Sequence, residues 1–326
     1  MHIYHPILKA SQAEKEALSN LSAKAAMKIS PILQWVPGKA KNWIEIILSE
    51  NHDIEFWVEY PETAINEEIR TCEARVRIFE TLRAKYSNFY PVISVNQSDD
   101  IRTIVRSVFH LSETFGQVAI KGSLVNNLRE KTISATLSLY SSFPELDRIL
   151  FIFDFGHVKP NNMEKVINNI SQILRTFLEA NIVIAMTPFW GSLSETPGFE
   201  RGEVIEIENL PYLLWSNVFR SKYIYSDYVT EHSEPTIVSF QNKYPYLKYL
   251  TLDGNRFKVF QSEYGGQDYS GYVAEQLLNI SNLIHSYNCW GCEFLKHLID
   301  KQTTNATKRK VASFVHHMEV ITSLLP

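Results

Sequence analysis

Charged and polar side chains stand at or near the ends of eight short apolar runs spread along the chain. The set combines cations, carboxylates, amides and a hydroxyl, and consists of Lys9, Gln34, Glu59, Asn96, Lys121, Asp154, Thr187 and Asp227. If the fold gathers these run ends at one place, two lysines and three carboxylates converge there. Charges so close together shift one another's pKa, which suits acid–base chemistry on a polar ligand.

Within this set we predict Glu59, Asp154 and Asp227 to be catalytic, and the other five residues to bind the ligand. A pair such as Glu59 and Asp154 can serve as acid and base in hydrolysis, and the three carboxylates can handle protons or a divalent metal. Lys9 and Lys121 would orient an anionic group, so a small polar, phosphorylated or nucleotide-like ligand is expected. The alternative, which the sequence leaves open, is a buried salt-bridge network that only fills the interior.

The eight apolar runs are candidate strands, because each is short and rich in β-branched or aromatic residues. They are Ile3–Lys9, Pro31–Val36, Ile54–Tyr60, Tyr90–Asn96, Val118–Lys121, Ile149–Phe155, Ile182–Thr187 and Tyr223–Asp227. Amphipathic helical stretches separate them, such as Met163–Ala180 with its apolar stripe. This alternation predicts parallel strands closed into a (β/α)8 barrel. An open doubly wound sheet is the alternative, but no glycine-rich phosphate loop follows the first run.

Side-chain alternation along each strand sorts the residues into an inward and an outward face. On the third strand Glu55, Trp57 and Glu59 should face the barrel interior. On the sixth, Asp154 should do so. Barrel enzymes keep their sites at the end of the barrel where the strands terminate, so the inward polar residues there form the expected site. The loop Pro188–Gly202 after the seventh strand is long enough to be a lid over that end or a plain surface excursion.

The last quarter of the chain departs from the strand–helix rhythm. An Asp-Gly turn inside Tyr246–Ser262 predicts a β-hairpin. Tyr269–Lys301 and Thr307–Leu325 read as long helices, of which the first can serve as the eighth barrel helix. We therefore predict a barrel over residues 1–245 and a C-terminal hairpin with helices packed on it over residues 246–326.

A C-x-x-C motif, Cys289 to Cys292, lies inside the first of these predicted helices. His285 and His297 add ligand-like spacing for zinc, but on one continuous helix His297 is turned away from the other three. A tetrahedral site would need the helix to break at Gly291. A redox motif of this type normally opens a helix, so we predict half-buried thiols that pack the helix and assign neither a metal nor a cofactor.

Composition excludes several classes of protein. The net charge is −4 over 326 residues with a pI near 6.2, which does not fit a nucleic-acid-binding domain. No apolar run is long enough to cross a membrane, and the first ten residues do not resemble a signal peptide. Three cysteines do not suggest a disulfide framework. We therefore expect a cytoplasmic protein that contacts neither membrane nor nucleic acid.

Short motifs across nearly the whole chain resemble the beta protein family, which is named from a T4-type phage protein and is common in bacteria. They are Pro6-Ile7-Leu8-Lys9-Ala10, Ile29-Ser30-Pro31-Ile32-Leu33, Asp154-Phe155-Gly156, Ser226-Asp227-Tyr228, Trp290-Gly291 and His316-His317. Members often carry an acid where this chain has Gln34, and Asp where it has Cys292. The resemblance supplies no settled activity, and it implies a role in anti-phage defence.

Two functions therefore remain open at this point. The first is an enzyme or ligand-binding protein that acts at the barrel end described above. The second is a scaffold whose hairpin and tail helices bind a partner protein of a defence system or a second copy of the chain. In the second case exposed aromatic residues would supply the contacts, namely Tyr244, Tyr246, Tyr249 and Phe257.

Overall fold

Eight parallel strands form the centre of the molecule. The computed structural model describes residues 4–36, 42–61, 71–124, 128–219, 222–233, 244–280, 288–301 and 303–326. The strands, in spatial order, are β1 (Ile7–Lys9), β2 (Ile32–Gln34), β3 (Phe56–Glu59), β4 (Phe89–Ser94), β5 (Val118–Ser123), β6 (Ile149–His157), β7 (Asn181–Thr187) and β9 (Ile224–Asp227). All eight correspond to predicted strands. A parallel bridge between Tyr4 and Tyr225 brings the first and last strands together, so the sheet closes as a barrel.

Alternation along the strands separates two layers of the core, as the sequence predicted. Inward side chains form a compact apolar filling that includes Ile32, Trp57 and Ile152. Outward side chains such as Phe56 and Phe151 join a much larger core beneath the surrounding helices. Most of the barrel is therefore solid, and an inward polar side chain near a strand end is placed above an apolar floor.

Helices fill the connections between strands. They are α1 (Gln12–Ser19), α2 (Ala23–Ala26), α3 (Trp43–Glu50), α4 (Cys72–Arg83), α5 (Ile101–Phe115), α6 (Arg129–Ser142), α7 (Met163–Thr176) and α8 (Leu210–Leu213), which a π-helical turn extends to Val218. Local chemistry fixes their starts. For example, the Asp100 carboxylate accepts a hydrogen bond from the Thr103 amide at 2.8 Å and so caps α5.

A second sheet of three antiparallel strands lies outside the barrel. The predicted hairpin is present as β10 (Tyr246–Leu250) and β11 (Arg256–Gln261), and β8 (Val204–Glu208) pairs with β11 as a third strand that the sequence analysis missed. Gly254 has a φ of +75° in the turn, and a Cβ there would lie 2.7 Å from Leu324. Glycine is therefore required for both the turn and the packing.

In the described part of the tail there are three helices where two were predicted. Tyr269–Lys301 is divided into α9 (Ser270–Ile280) and α10 (Trp290–Lys301), and residues 281–287, which include His285, lie outside the described residues. The C-x-x-C motif therefore opens a helix. The expectation that this segment supplies the eighth barrel helix was wrong, because α9 packs on the small sheet and on α10.

The last helix, α11 (Ala306–Leu324), contacts the barrel wall at Tyr4 and Asp227 through His317. It packs against α1 on one side and against α10 and β10 on the other. Every residue from Val311 to Thr322 is consequently buried. A helix that is covered on all sides can bury both members of its adjacent histidine pair, and His316 and His317 are each 0% exposed. Within the described residues, no helix is both long and apolar enough to cross a membrane.

Candidate functional site

Lys121 lies at the centre of the polar groups inside the C-terminal mouth of the barrel, the end at which the strands terminate. Its Nζ is 3.0 Å from Glu59 Oε2 and 3.3 Å from Asp154 Oδ2. The Tyr228 hydroxyl is 3.3 Å from the same Nζ and donates a hydrogen bond to Asp154 Oδ2. The ammonium group of Lys121, which lies on β5, thus connects side chains from β3, from β6 and from the residue after β9.

Further hydrogen bonds hold both carboxylates in place. Glu59 accepts from the Gln34 amide and from the Ser94 hydroxyl, each at 2.8 Å. Asp154 Oδ1 accepts from the Gly156 amide at 2.9 Å. Because the lysine ammonium occupies the space between the two carboxylates, a divalent metal has no place there, and the chemistry available to the pair concerns protons and hydrogen bonds.

Burial and charge together set the protonation states of the cluster. Burial alone would lower the pKa of Lys121, but the Glu59 and Asp154 carboxylates outweigh it and the pKa is raised. Burial raises the pKa of Tyr228 well above its ordinary value, and Asp154 and Glu59 raise it further. At neutral pH the lysine is therefore charged and the phenol keeps its proton as a donor.

An open cavity of about 840 Å³ lies above this cluster. Gln34, Glu59, Ser94, Lys121, Asp154 and Tyr228 form part of its lining. The lining also contains His157, Lys159, Trp190 and His232. Lys159 Nζ lies 4.0 Å from the centre of the Trp190 ring. The cavity therefore has an acidic floor and a wall of imidazole, ammonium and indole groups, which suits a ligand with several polar functions.

A bulge in β6 turns His157 towards this cavity. The pairing of β6 with β7 shifts register between Asp154 and His157, and Gly156 has a φ of +58°. An extra residue of this kind re-aims the side chains that follow it. Burial lowers the pKa of His157 to about 4, assisted by the charges of Lys159 and His232. Its imidazole is therefore neutral at pH 7 and retains a basic nitrogen.

Three of the predicted ligand-binding residues are engaged elsewhere and do not line the cavity. Lys9 donates to the backbone carbonyl of His232 at 2.7 Å. The Asn96 side chain accepts from the Asp99 amide at 2.8 Å and stabilises the turn after β4. The Thr187 hydroxyl donates to the Glu231 carbonyl at 2.7 Å. All three support loops that surround the mouth.

Asp227 lies on the other side of the barrel wall, so the expectation that it joins the mouth was wrong. It faces outward together with Tyr225, and its carboxylate is 1% exposed. Tyr4, Tyr225 and His317 contact it at 2.6, 2.8 and 2.8 Å. Burial alone would raise its pKa, but the neighbouring His317 outweighs this effect and lowers it.

The role of Asp227 is to shape the turn that carries Tyr228. Its Oδ1 accepts from the Val229 amide at 3.0 Å, and Val229 has a φ of +56°. That conformation is strained for a β-branched residue and persists only where its surroundings hold it. Asp227 is thus a positioning residue, since the turn it fixes directs the Tyr228 hydroxyl into the mouth.

Comparison with known proteins agrees with the motifs noted in the sequence. A model of the family described as Beta protein matches residues 4–322. The chain belongs to the Beta protein family. It is also similar to Protein beta of Enterobacteria phage P4, with 27% identity over 245 residues that cover 71% of this chain and 67% of the phage protein. No solved structure matches the chain significantly.

Sequence reasoning missed five polar or aromatic residues of the mouth in this member of the Beta protein family. His157, Lys159, Trp190 and His232 follow the ends of predicted strands, but a bulge and loops decide their direction, and neither feature has a strong local signal. Tyr228 was detectable. Counting in steps of two from the inward Ile224 reaches Tyr228 and leaves Asp227 on the outward face.

Proposed function

We propose that the C-terminal mouth binds a small polar ligand and catalyses an acid–base reaction of the hydrolytic type on it. The observation that carries the proposal is the cluster of buried Lys121, Glu59 and Tyr228 with the partly buried Asp154 at the floor of an open cavity of about 840 Å³. A salt-bridge network that only filled the barrel would not need a cavity of ligand size above it.

The arrangement assigns different parts to the residues of the mouth. Glu59 and Asp154 accept hydrogen bonds from ligand hydroxyl or amino groups and take part in proton transfer. Lys121 stays charged and contacts both carboxylates, and Tyr228 donates a hydrogen bond. His157, which is neutral at pH 7, is a further proton acceptor in the lining of the cavity.

The charge distribution also indicates which end of the ligand lies where. Lys121 is already matched by two carboxylates, so the anionic part of a ligand pairs with Lys159 instead. Lys159 lines the cavity beside Trp190, and an aromatic ring next to an ammonium group suits a phosphorylated or nucleotide-like molecule. The hydroxyl-bearing part then faces Glu59 and Asp154.

The scaffold alternative loses the anchors on which it depended. Phe257 is 0% exposed and Tyr249 is 2% exposed, so neither can contact a partner. Tyr246 is half-buried, and Tyr244 packs beneath the Arg201 guanidinium. A role in anti-phage defence stays part of the proposal through the family resemblance, with the ligand of the mouth as the molecule that is sensed or processed.

Ligand binding can be tested with a panel of nucleoside phosphates and sugar phosphates. Thermal shift and calorimetry on the full chain should identify at least one binder, and mass spectrometry should detect its hydrolysis. Asp154→Asn and Lys159→Ala should weaken binding at least about tenfold, which corresponds to about 1.4 kcal/mol. Lys85→Ala is the matched control, because Lys85 is exposed in the turn that follows α4.

Two results would count against the proposal. One is that no member of the panel binds and that native mass spectrometry of the purified chain finds no small molecule. The other is that Asp154→Asn and Lys159→Ala bind an identified ligand as tightly as Lys85→Ala does.

A further inference from the structure

Two cysteines and a histidine meet in a buried cluster far from the chemistry of the mouth. Cys289 precedes α10, Cys292 lies in its first turn, and His316 lies on α11. The two sulfur atoms are 3.3 Å apart, and His316 Nδ1 is 3.7 Å from Cys289 Sγ and 3.3 Å from Cys292 Sγ. Among the described residues this is the single group of three potential metal ligands whose donor atoms lie this close together.

These distances are close to those of a tetrahedral zinc site. With zinc–sulfur bonds of about 2.3 Å and zinc–nitrogen bonds of about 2.05 Å, tetrahedral angles give about 3.8 Å between two sulfurs and about 3.6 Å between sulfur and nitrogen. The observed separations differ from these values by a few tenths of an ångström to half an ångström. Small side-chain rotations are therefore enough to bring the three donors around one ion.

The imidazole of His316 is oriented as a metal ligand. Its other nitrogen, Nε2, is 2.8 Å from the Leu250 carbonyl oxygen, which can only accept a hydrogen bond. The proton must then be on Nε2, which leaves the lone pair of Nδ1 directed at the thiols. Histidine ligands are commonly fixed by such a bond to a carbonyl. The Tyr249 ring also stacks on the imidazole, with 3.8 Å between ring centres.

Hydrogen-bond donors are directed at both sulfur atoms. The Cys292 amide is 3.4 Å from Cys289 Sγ at the start of α10, where the helix dipole stabilises negative charge. The Tyr249 hydroxyl donates to Cys292 Sγ at 3.1 Å.

Gly291 permits the close approach of the two helices. A Cβ at this position would lie 2.3 Å from the carbonyl oxygen of Ala312, one turn before His316 on α11. Backbone atoms cannot move aside as the end of a flexible side chain can. A glycine between the two cysteines therefore allows the first turn of α10 to lie against α11 and brings both sulfurs to the imidazole.

We propose that Cys289, Cys292 and His316 bind one zinc ion. Two thiolates and one imidazole are ligands that zinc accepts readily, and a water molecule completes the coordination. Each cysteine releases its proton to solvent when the ion binds. The bound ion joins α10 to α11 and, through the hydrogen bond to Leu250, to the end of β10.

Metal content and cobalt spectroscopy test this site directly. The full chain, purified under reducing conditions and dialysed against zinc, should retain about one zinc per chain by elemental mass spectrometry. Cobalt(II) added to the zinc-free chain should give the thiolate-to-cobalt charge-transfer band and the intense visible bands of tetrahedral coordination. Cys292→Ser and His316→Gln should each reduce bound zinc at least tenfold and weaken these bands.

Matched controls exist for both ligand types. Cys72→Ser removes the third cysteine, which is buried on α4, and His297→Gln removes an exposed histidine of α10. Both should retain zinc and give the same cobalt spectrum as the unaltered chain. Circular dichroism shows whether each variant is folded.

The unaltered chain alone can overturn the proposal. Absence of a thiolate–cobalt band in the folded, reduced chain would do so, whatever the variants show. Equal zinc content in Cys292→Ser and Cys72→Ser would also do so. So would reaction of the Cys289 and Cys292 thiols with a disulfide reagent at the same rate with and without excess zinc.

Discussion

Replacing Lys121 with methionine removes the cation at the floor of the mouth and keeps most of the side-chain volume. The buried Glu59 and the partly buried Asp154 then remain without the charge that both of them contact. Removing one partner of a buried ion pair typically costs about 3–5 kcal/mol. Both carboxylates keep other hydrogen bonds, from Ser94 and Gln34 or from Gly156, so we expect a loss near the lower value, about 3 kcal/mol at pH 8.

The pH dependence of this loss separates a charge effect from a packing effect. The pKa of Lys121 is higher in the folded chain than in the unfolded chain, where it is about 10.4. The contribution of Lys121 to the stability of the unaltered chain is therefore fully present below about pH 10.4 and is lost only as the pH rises through the pKa of the folded chain. It is therefore constant between pH 5 and 8. In Lys121→Met a carboxylate can avoid buried charge by binding a proton, so the loss should be smaller at pH 5 by at least about 1 kcal/mol.

Urea unfolding followed by circular dichroism at both pH values measures these differences. Lys85→Met is the control, since Lys85 is 55% exposed in a surface ion pair with Glu45 and should change stability by less than about 1 kcal/mol. The reasoning would be refuted if Lys121→Met were as stable as this control at pH 8. A loss that is equal at pH 5 and pH 8 would show that packing, and not charge, is responsible.

Three other changes test separate parts of the structure. Gly291→Ala places a Cβ against the Ala312 carbonyl and should lower the free energy of unfolding by about 1–3 kcal/mol. It should also weaken zinc binding. Urea unfolding and metal analysis measure the two effects. His157 should titrate by NMR near pH 4, so its contribution to stability falls as the pH drops from about 6.5 towards 4. Asp227→Asn should lower the free energy of unfolding by about 3 kcal/mol at pH 7, because the NH₂ group of asparagine would face groups that themselves donate hydrogen bonds. The stability difference between this variant and the unaltered chain should shrink in acid, because the unaltered chain loses its advantage once the pH falls to the lowered pKa of Asp227. A difference in unfolding midpoint that does not change with pH would contradict this prediction.

The barrel was predictable because its determinants are local and repeated. β-Branched and aromatic runs marked all eight strands, and the apolar stripe of α7 appears as the buried residues Val166, Ile170 and Ile173. The alternation of side chains along the strands also placed Glu59, Lys121 and Asp154 at one end of the barrel. It did so correctly because no bulge precedes any of these three residues on its strand. Parallel pairing then brings them together.

The remaining parts of the site depend on features that local patterns do not encode. The inward and outward faces of β9 were assigned wrongly because a polar residue at a strand end was assumed to face inward. Asp227 faces outward, where His317, 90 residues away in the chain, supplies its hydrogen-bond partner. The cysteines were assigned to the middle of a helix because no Pro or Gly marks the break before Trp290. Their third partner, His316, comes from another helix, and spacing within one helix could not identify it.

Adjacent histidines on α11 connect the mouth to the cysteine cluster. Neighbouring residues of a helix point about 100° apart, so His316 reaches the thiols on one side and His317 reaches Asp227 in the barrel wall on the other. Asp227 in turn fixes the turn that directs Tyr228 to Asp154. The contacts of His316, His317 and Val229 in this series are buried, and the contact of Tyr228 with Asp154 is partly buried. Because an α-helix moves as a rigid body over a single turn, a shift of α11 that opened the cysteine cluster would also displace His317 from Asp227. The geometry of the mouth therefore depends on the same helix that the proposed zinc ion would hold in place.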